Sequence, residues 1–165
     1  AGGSVNGQDV LIKVQDFVST KPAEISFPSL TIHDKYDLDD ERLTWTGSWV
    51  SENEDGKGDL LYSDETGASL AFPFEGNAIY VQGNIRHDHG ILEIFLDDKL
   101  IESRDMYNPT QWERSDQCTA VWLTGLADGA HTLLVRVTGE KREQADGTLI
   151  SLGRIVSYTG EVAAL

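Results

Sequence analysis

Only one cysteine, Cys118, stands among the 165 residues. A disulfide within the chain and a cysteine-rich zinc site are excluded, while the redox compartment is left open. Apolar runs are short, none approaching the ~18 residues that would mark a membrane-crossing helix. Basic residues are also scarce. Thirteen Lys and Arg against 28 Asp and Glu give a net charge of −15, a field that repels nucleic acid and anionic membrane surfaces. Neither is expected as a partner. The opening Ala1-Gly2-Gly3-Ser4 lacks the charged start and apolar core of a signal peptide and is read as a processed or excised end. No segment of a dozen residues carries a helical stripe between caps, so little helix is expected.

What the chain does have is alternation with period two, broken about every ten residues by Gly, Asp and Asn. That is how short antiparallel strands are written. Ala68, Leu70, Phe72 and Phe74 share one face, with Pro73 inside the run suggesting an edge position or a bulge. Residues 78–82 follow after Glu75-Gly76-Asn77, and the two runs are expected to form a hairpin. Residues 91–96 and Lys99-Leu100-Ile101 flank Asp97-Asp98, a tight-turn signal between paired strands. Residues 106–117 are polar, contain Pro109 and read as an exposed loop. Residues 119–123, 131–137 and 148–158 continue the pattern, and residues 43–50 and 59–62 precede it. About eight or nine strands result, enough for two packed sheets. Residues 1–40 are expected to be N-terminal strands or a linker completing the sandwich, and residues 41–165 the sandwich itself. The length and the 39% hydrophobic content suit a single folded core.

Several motifs come in a telling order: Trp45-Thr46-Gly47-Ser48-Trp49, Gly67-Ala68-Ser69-Leu70-Ala71-Phe72, Asp88-His89-Gly90 leading into Glu93-Ile94-Phe95-Leu96-Asp97, Asp105-Met106-Tyr107, Gly125-Leu126-Ala127-Asp128-Gly129-Ala130-His131, and Leu152-Gly153-Arg154-Ile155. Together they make residues 43–158 resemble the galactose-binding-like β-sandwich modules appended to bacterial glycoside hydrolases, lyases and esterases. The resemblance implies an all-β, antiparallel two-sheet jelly roll. It also implies a non-catalytic module that binds an oligo- or polysaccharide at end loops or on a sheet face, often with a structural Ca2+ elsewhere, beside an attached catalytic domain. A secreted or periplasmic bacterial location and a monomer go with it. Such modules usually carry Asp where this chain has Gly153, which puts a ligand or metal role for that strand in question.

Sugar recognition needs a flat apolar surface for the CH face of a pyranose and planar polar groups for its hydroxyls. Trp112, in a loop with no strand periodicity, is either a stacking platform or a plug on the sandwich rim. Of Trp45 and Trp49, which share a face if their segment is one strand, Trp45 is assigned to packing and Trp49 to ligand contact. Trp122 points outward if Val121 and Leu123 point inward, as a sheet-face platform or under another segment. Asn84, Arg86 and His87 form the densest set of hydroxyl-pairing groups. The guanidinium of Arg86 can fork onto two oxygens, while Asp88 and His89 are read as fastening the backbone. Tyr107 joins these candidates, and His131 is read as a hydrogen-bonded structural histidine. Asp37, Asp39 and Asp55, from two acidic loops, are the candidate oxygen ligands for calcium, although neither loop has EF-hand spacing.

Catalysis finds no positive signal. There is no Gly-x-Ser-x-Gly elbow, no His-Glu-x-x-His and no phosphate-cradling glycine loop. The competing expectation is a structural or docking sandwich of a larger glycoside hydrolase or lyase, with no sugar binding of its own.

Overall fold

The computed structural model describes residues 29–51, 60–109 and 118–161. Among them run eleven strands and no helix: β1 (Ser29–Tyr36), β2 (Thr44–Thr46), β3 (Val50–Ser51), β4 (Leu61–Ser63), β5 (Ser69–Glu75), β6 (Ala78–Gly83), β7 (Ile91–Leu96), β8 (Lys99–Asp105), β9 (Cys118–Leu123), β10 (Ala130–Val137) and β11 (Ile150–Glu161). One sheet has the order β3-β4-β11-β6-β9, with β1 paired to β11; the other has the order β2-β5-β10-β7-β8. The chain is therefore an all-β sandwich of two antiparallel sheets. Its contacts divide it into two compact units, residues 31–159 and residues 1–30 with 160–165. Of the smaller unit, only residues 29, 30, 160 and 161 are described.

Period-two alternation builds the core. Leu70, Phe72 and Phe74 of β5 turn inward beside Leu133, Val135 and Val137 of β10 and Leu92 and Ile94 of β7, all buried. From the other sheet come Ile79 and Val81 of β6, Val121 of β9, and Ile150, Leu152 and Ile155 of β11. Each fully buried aliphatic or aromatic side chain contributes about 1.5–3 kcal/mol relative to exposure. Trp122, between Val121 and Leu123, points outward and is 45% exposed, as the alternation predicts.

The structure departs from the sequence-based expectation at three connections. The runs at residues 68–74 and 78–82 do not form a hairpin, because β5 and β6 belong to different sheets. Their connection is spent on other partners: Gly76 donates its N–H to Gly129 O and Asn77 to Tyr158 O. Gly76 sits at φ 135° with its Cα face against the Tyr158 carbonyl, a place with no room for a side chain. Residues 43–50 are not one strand either. Gly47, at φ 90°, turns the chain between β2 in one sheet and β3 in the other. Met106, expected in an exposed loop, is a core residue at 1% exposure.

Other expectations are met. Asp97 and Asp98, with φ of 51° and 70°, form the tight turn that pairs β7 with β8. Pro73 lies beyond the end of short β2, whose register with β5 stops at Ala71, so one side of Pro73 is free of a ladder. Its carbonyl accepts the Tyr36 hydroxyl at 2.9 Å.

These connections give the sandwich two ends. One collects residues 84–90, 106–109 and 138–149. The other collects residues 75–77, the Asp97-Asp98 turn and residues 124–130.

Candidate functional site

The rim segment 84–90 is fastened on both flanks by backbone bonds. Arg86 N donates to Met106 O at 3.2 Å and Asn108 N to Arg86 O at 3.1 Å, forming a bridge between Arg86 and Tyr107. On the opposite flank, Asp146 N donates to His87 O at 2.8 Å, Leu149 N to Asp88 O at 3.1 Å and Gly90 N to Leu149 O at 2.9 Å. A Cβ on Gly90 would stand 2.5 Å from Glu140 O and 2.8 Å from Thr148 Cα, so glycine is what lets the two segments close together.

Below this rim lies a buried polar chain. His89 is 2% exposed; its Nδ1 is 2.9 Å from Asp88 Oδ1 and its Nε2 2.9 Å from Ser151 Oγ. A neutral ring satisfies both contacts, with Nδ1–H donating to the carboxylate and Nε2 accepting the serine hydroxyl. Burial pushes the Asp88 carboxyl up, but its bond to His89 and the charge of Arg86 hold it below the ordinary carboxylate value. The atoms follow the serine-histidine-aspartate order of acyl-transfer enzymes. Ser151, however, is 1% exposed on the central strand β11, and the chain's evident work is to tie the rim to the sheet.

Above it opens a cleft lined by Tyr62, Arg86, Asp88, His89, Leu149 and Ser151. Tyr62 and Arg86 are half-buried. Among the described residues, no group accepts a hydrogen bond from the Arg86 guanidinium or pairs with the Tyr62 hydroxyl. Three of the other described arginines are engaged by carboxylates: Arg42 by Asp34 and Asp40, Arg136 by Glu93, Arg142 by Asp105. A second concavity shows the contrast. It is lined by His33, Asp34, Tyr36, Arg42, Phe74 and Glu75 among others. There Arg42 lies 4.1 Å over the Tyr36 ring while its bonds hold the Asp40 carboxyl down at about 2. At Arg86 a cationic fork, an aromatic side chain and the Asp88 carboxylate instead meet in open space, a donor-acceptor set suited to a polyhydroxylated ring.

The sequence-predicted residues fall around this cleft unequally. Arg86 lines it. His87 bonds Asp146 Oδ2 through Nδ1 at 2.9 Å, Asn84 is 5% exposed, and Tyr107 has Arg142 over its ring at 4.8 Å. Trp49 packs edge-on against Trp45, centroids 4.9 Å apart, and donates its indole N–H to Thr46 O at 3.0 Å; it immediately precedes Val50, the β3 partner of Tyr62. Trp112 lies outside the described residues. The flanks of its segment reach this end of the sandwich, since Asn108 bonds Arg86 and Cys118 pairs with Gly83. Sequence reasoning passed over Tyr62 and Ser151, because a half-buried tyrosine in a three-residue strand and a strand serine carry no local signal.

Asp37 and Asp39 belong to no group of three or more metal-ligating side chains among the described residues, and neighbouring Asp40 is spent on Arg42. Asp55 lies outside the described residues.

No known protein-family profile matches the chain. Two proteins of Flavonifractor plautii are similar to it. An A type blood N-acetyl-α-D-galactosamine deacetylase is 28% identical over 137 residues, 82% of this chain and 16% of that protein. An A type blood α-D-galactosamine galactosaminidase is 29% identical over 104 residues, 62% of this chain and 9% of that protein. The chain thus spans a small fraction of the length of the curated relatives it matches. Among solved structures, a two-domain esterase active on acetylated mannans superposes on 82% of this chain and 37% of its own, with a TM-score of 0.58 and 18% identity. A family 35 carbohydrate binding module from an environmental isolate is covered over 100% of its length by 80% of this chain, at TM-score 0.51 and 15% identity. At these identities the likeness establishes the fold.

Proposed function

We propose that the chain is a non-catalytic carbohydrate-binding module of the galactose-binding-like jelly-roll kind, which takes a saccharide ring in the cleft around Arg86 and Tyr62. It holds an attached glycan-processing enzyme on its substrate, in a bacterial extracellular or periplasmic setting. The observation that carries this reading is the pairing, in one open cleft, of a half-buried guanidinium and a half-buried tyrosine that have no side-chain hydrogen-bond partner among the described residues. A neutral sugar presents adjacent hydroxyls to the fork and to Asp88 and its CH face to an aromatic ring. Support comes also from the relatives, two enzymes named for amino-sugar substrates and of which this chain matches only a small part, and from a solved binding module matched over its whole length. Trp112 is the proposed stacking partner.

Affinity-gel and glycan-array binding of the wild type beside Arg86→Ala and Trp112→Ala tests the reading. Each substitution is expected to weaken binding about tenfold, the ~1.5 kcal/mol of one charge-assisted bond or one stacked ring, with little change in melting temperature. Wild-type affinity in Arg86→Ala would remove the cleft from the binding site.

A docking module without sugar binding is favoured by one separate observation. Exposed Trp122 stands at 86° to Tyr158 with centroids 5.6 Å apart, and opposite Tyr80, on an outer sheet face. That reading predicts no glycan binding and a Trp122→Ala variant that separates from its neighbouring domain.

A further inference from the structure

At the end of the sandwich away from the cleft, His131 is the second residue of β10, its side chain 9% exposed. Its Nδ1 is 2.8 Å from Asp97 Oδ2, in the β7–β8 turn, and its Nε2 is 2.5 Å from the carbonyl oxygen of Ala127, in the loop before β10. Both partners can only accept. A neutral imidazole has one N–H and would leave a bare nitrogen lone pair against an oxygen, whereas the doubly protonated ring satisfies both contacts.

We propose that His131 is a pH-operated clasp, closed while its ring carries two protons, which locks the 124–129 loop and the β7–β8 turn onto β10. The turn is also held to β10 by Asp97 N–H donating to Thr132 O at 2.9 Å and by the β7–β10 ladder ending at Leu96 and Leu133, whereas the 124–129 loop is held by fewer bonds. Asp97 Oδ1 accepts Thr132 N–H at 2.8 Å, and the loop is further tied by Gly76 N to Gly129 O at 3.0 Å and Leu126 N to Asn77 O at 3.1 Å. The charged groups on the elements packed against the ring are carboxylates: Asp97 and Asp98 in the turn, Asp128 in the loop, and Glu75 on β5, paired with Ala130. Lys99 follows the turn as the first residue of β8. The Phe74 ring lies 5.4 Å from the imidazole at 30°, covering it without offering a donor. Burial pulls the imidazole pKa down, but the bonds to Asp97 and Ala127 and the charges of Asp97 and Asp128 carry it above the ordinary value.

A pKa higher folded than unfolded stabilises the fold fully below the unfolded value of about 6.5 and ceases to do so as pH rises through the folded value. The clasp is therefore closed in acid and releases as pH rises through the folded value, which lies above the ordinary one. When it releases, the loop loses its tie at Ala127 while β10 keeps its ladder.

An NMR titration of the His131 ring, run with amide hydrogen exchange of Leu126 and Gly76, decides the matter. The ring is expected to titrate above about 6.5. The protection of Leu126 relative to Gly90 at the other end should fall across the same midpoint. Asp97→Asn, which keeps the histidine, is expected to lower the midpoint, and His131→Gln to make the protection ratio independent of pH. A wild-type midpoint at or below 6.5, or a protection ratio that stays flat through it, would overturn the clasp. If His131→Gln does not fold, the wild-type and Asp97→Asn titrations decide alone.

Discussion

The two ends of the sandwich each place an aspartate on the Nδ1 of a histidine, and differ in what meets Nε2. His89 faces the Ser151 hydroxyl, which can donate, so a neutral ring is at home there. His131 faces the Ala127 carbonyl, which cannot, so the ring is at home only as a cation. The difference extends to the surroundings. At the His131 end the cation is spent inside the fold on Asp97. At the His89 end the histidine bonds within the fold, and a separate cation, Arg86, meets no hydrogen-bond acceptor among the described residues. The comparison teaches that an internal polar network signals structure when it closes on itself, and a site when it leaves one strong donor without an acceptor.

The largest effect should come from closing the gap that lets the rim form. Gly90→Ala puts a methyl group against Glu140 O and Thr148 Cα, backbone on both sides, and should cost about 2–3 kcal/mol in chemical denaturation, the scale of overpacking in a rigid setting. A variant as stable as wild type would show the rim to be loose and the comparison misplaced. Next comes Ser151→Ala. It removes the hydroxyl that His89 Nε2 accepts and is expected to cost about 1–3 kcal/mol, with an accompanying loss of glycan affinity as the rim shifts.

Acid and alkali should separate the ends. The Asp88 carboxyl is held low in the fold, so its contribution is present above the ordinary carboxylate value of about 3.9 and lost as pH falls through the lower folded value. His131 contributes in the opposite sense, losing its share as pH rises. Amide exchange is expected to loosen the rim amides of residues 86–90 first in strong acid, and those near Leu126 first as pH rises through the His131 transition. The reverse order would break the comparison. The smallest effect belongs to Asp98, at φ 70° in the turn. Asp98→Gly should leave stability within about 0.5 kcal/mol of wild type, on the stabilising side, since glycine reaches that conformation without strain.

Much of the fold was legible because alternation in a half-buried strand is a local pattern. Ala68, Leu70, Phe72 and Phe74 announced their common face, and Asp97-Asp98 their turn. The crossings between sheets were not legible. Nothing within Glu75-Gly76-Asn77 reveals that its amides will bond Gly129 and Tyr158, which lie far along the chain, so a local reading defaults to a hairpin. The same holds at Gly47, where Trp49 folds back onto Trp45. In the site, Arg86 was visible as a cation in a polar loop of an acidic chain. Tyr62 was not, since its place in the cleft follows from the register of β4 with β11.

The most direct test is NMR mapping of a saccharide titrated into the protein. The account predicts shift changes confined to Tyr62, residues 86–89 and residues 149–151, together with Trp112, while Asp97, Leu126 and His131 stay fixed. Changes confined to the Trp122 and Tyr158 face, or to the His131 end, would contradict it.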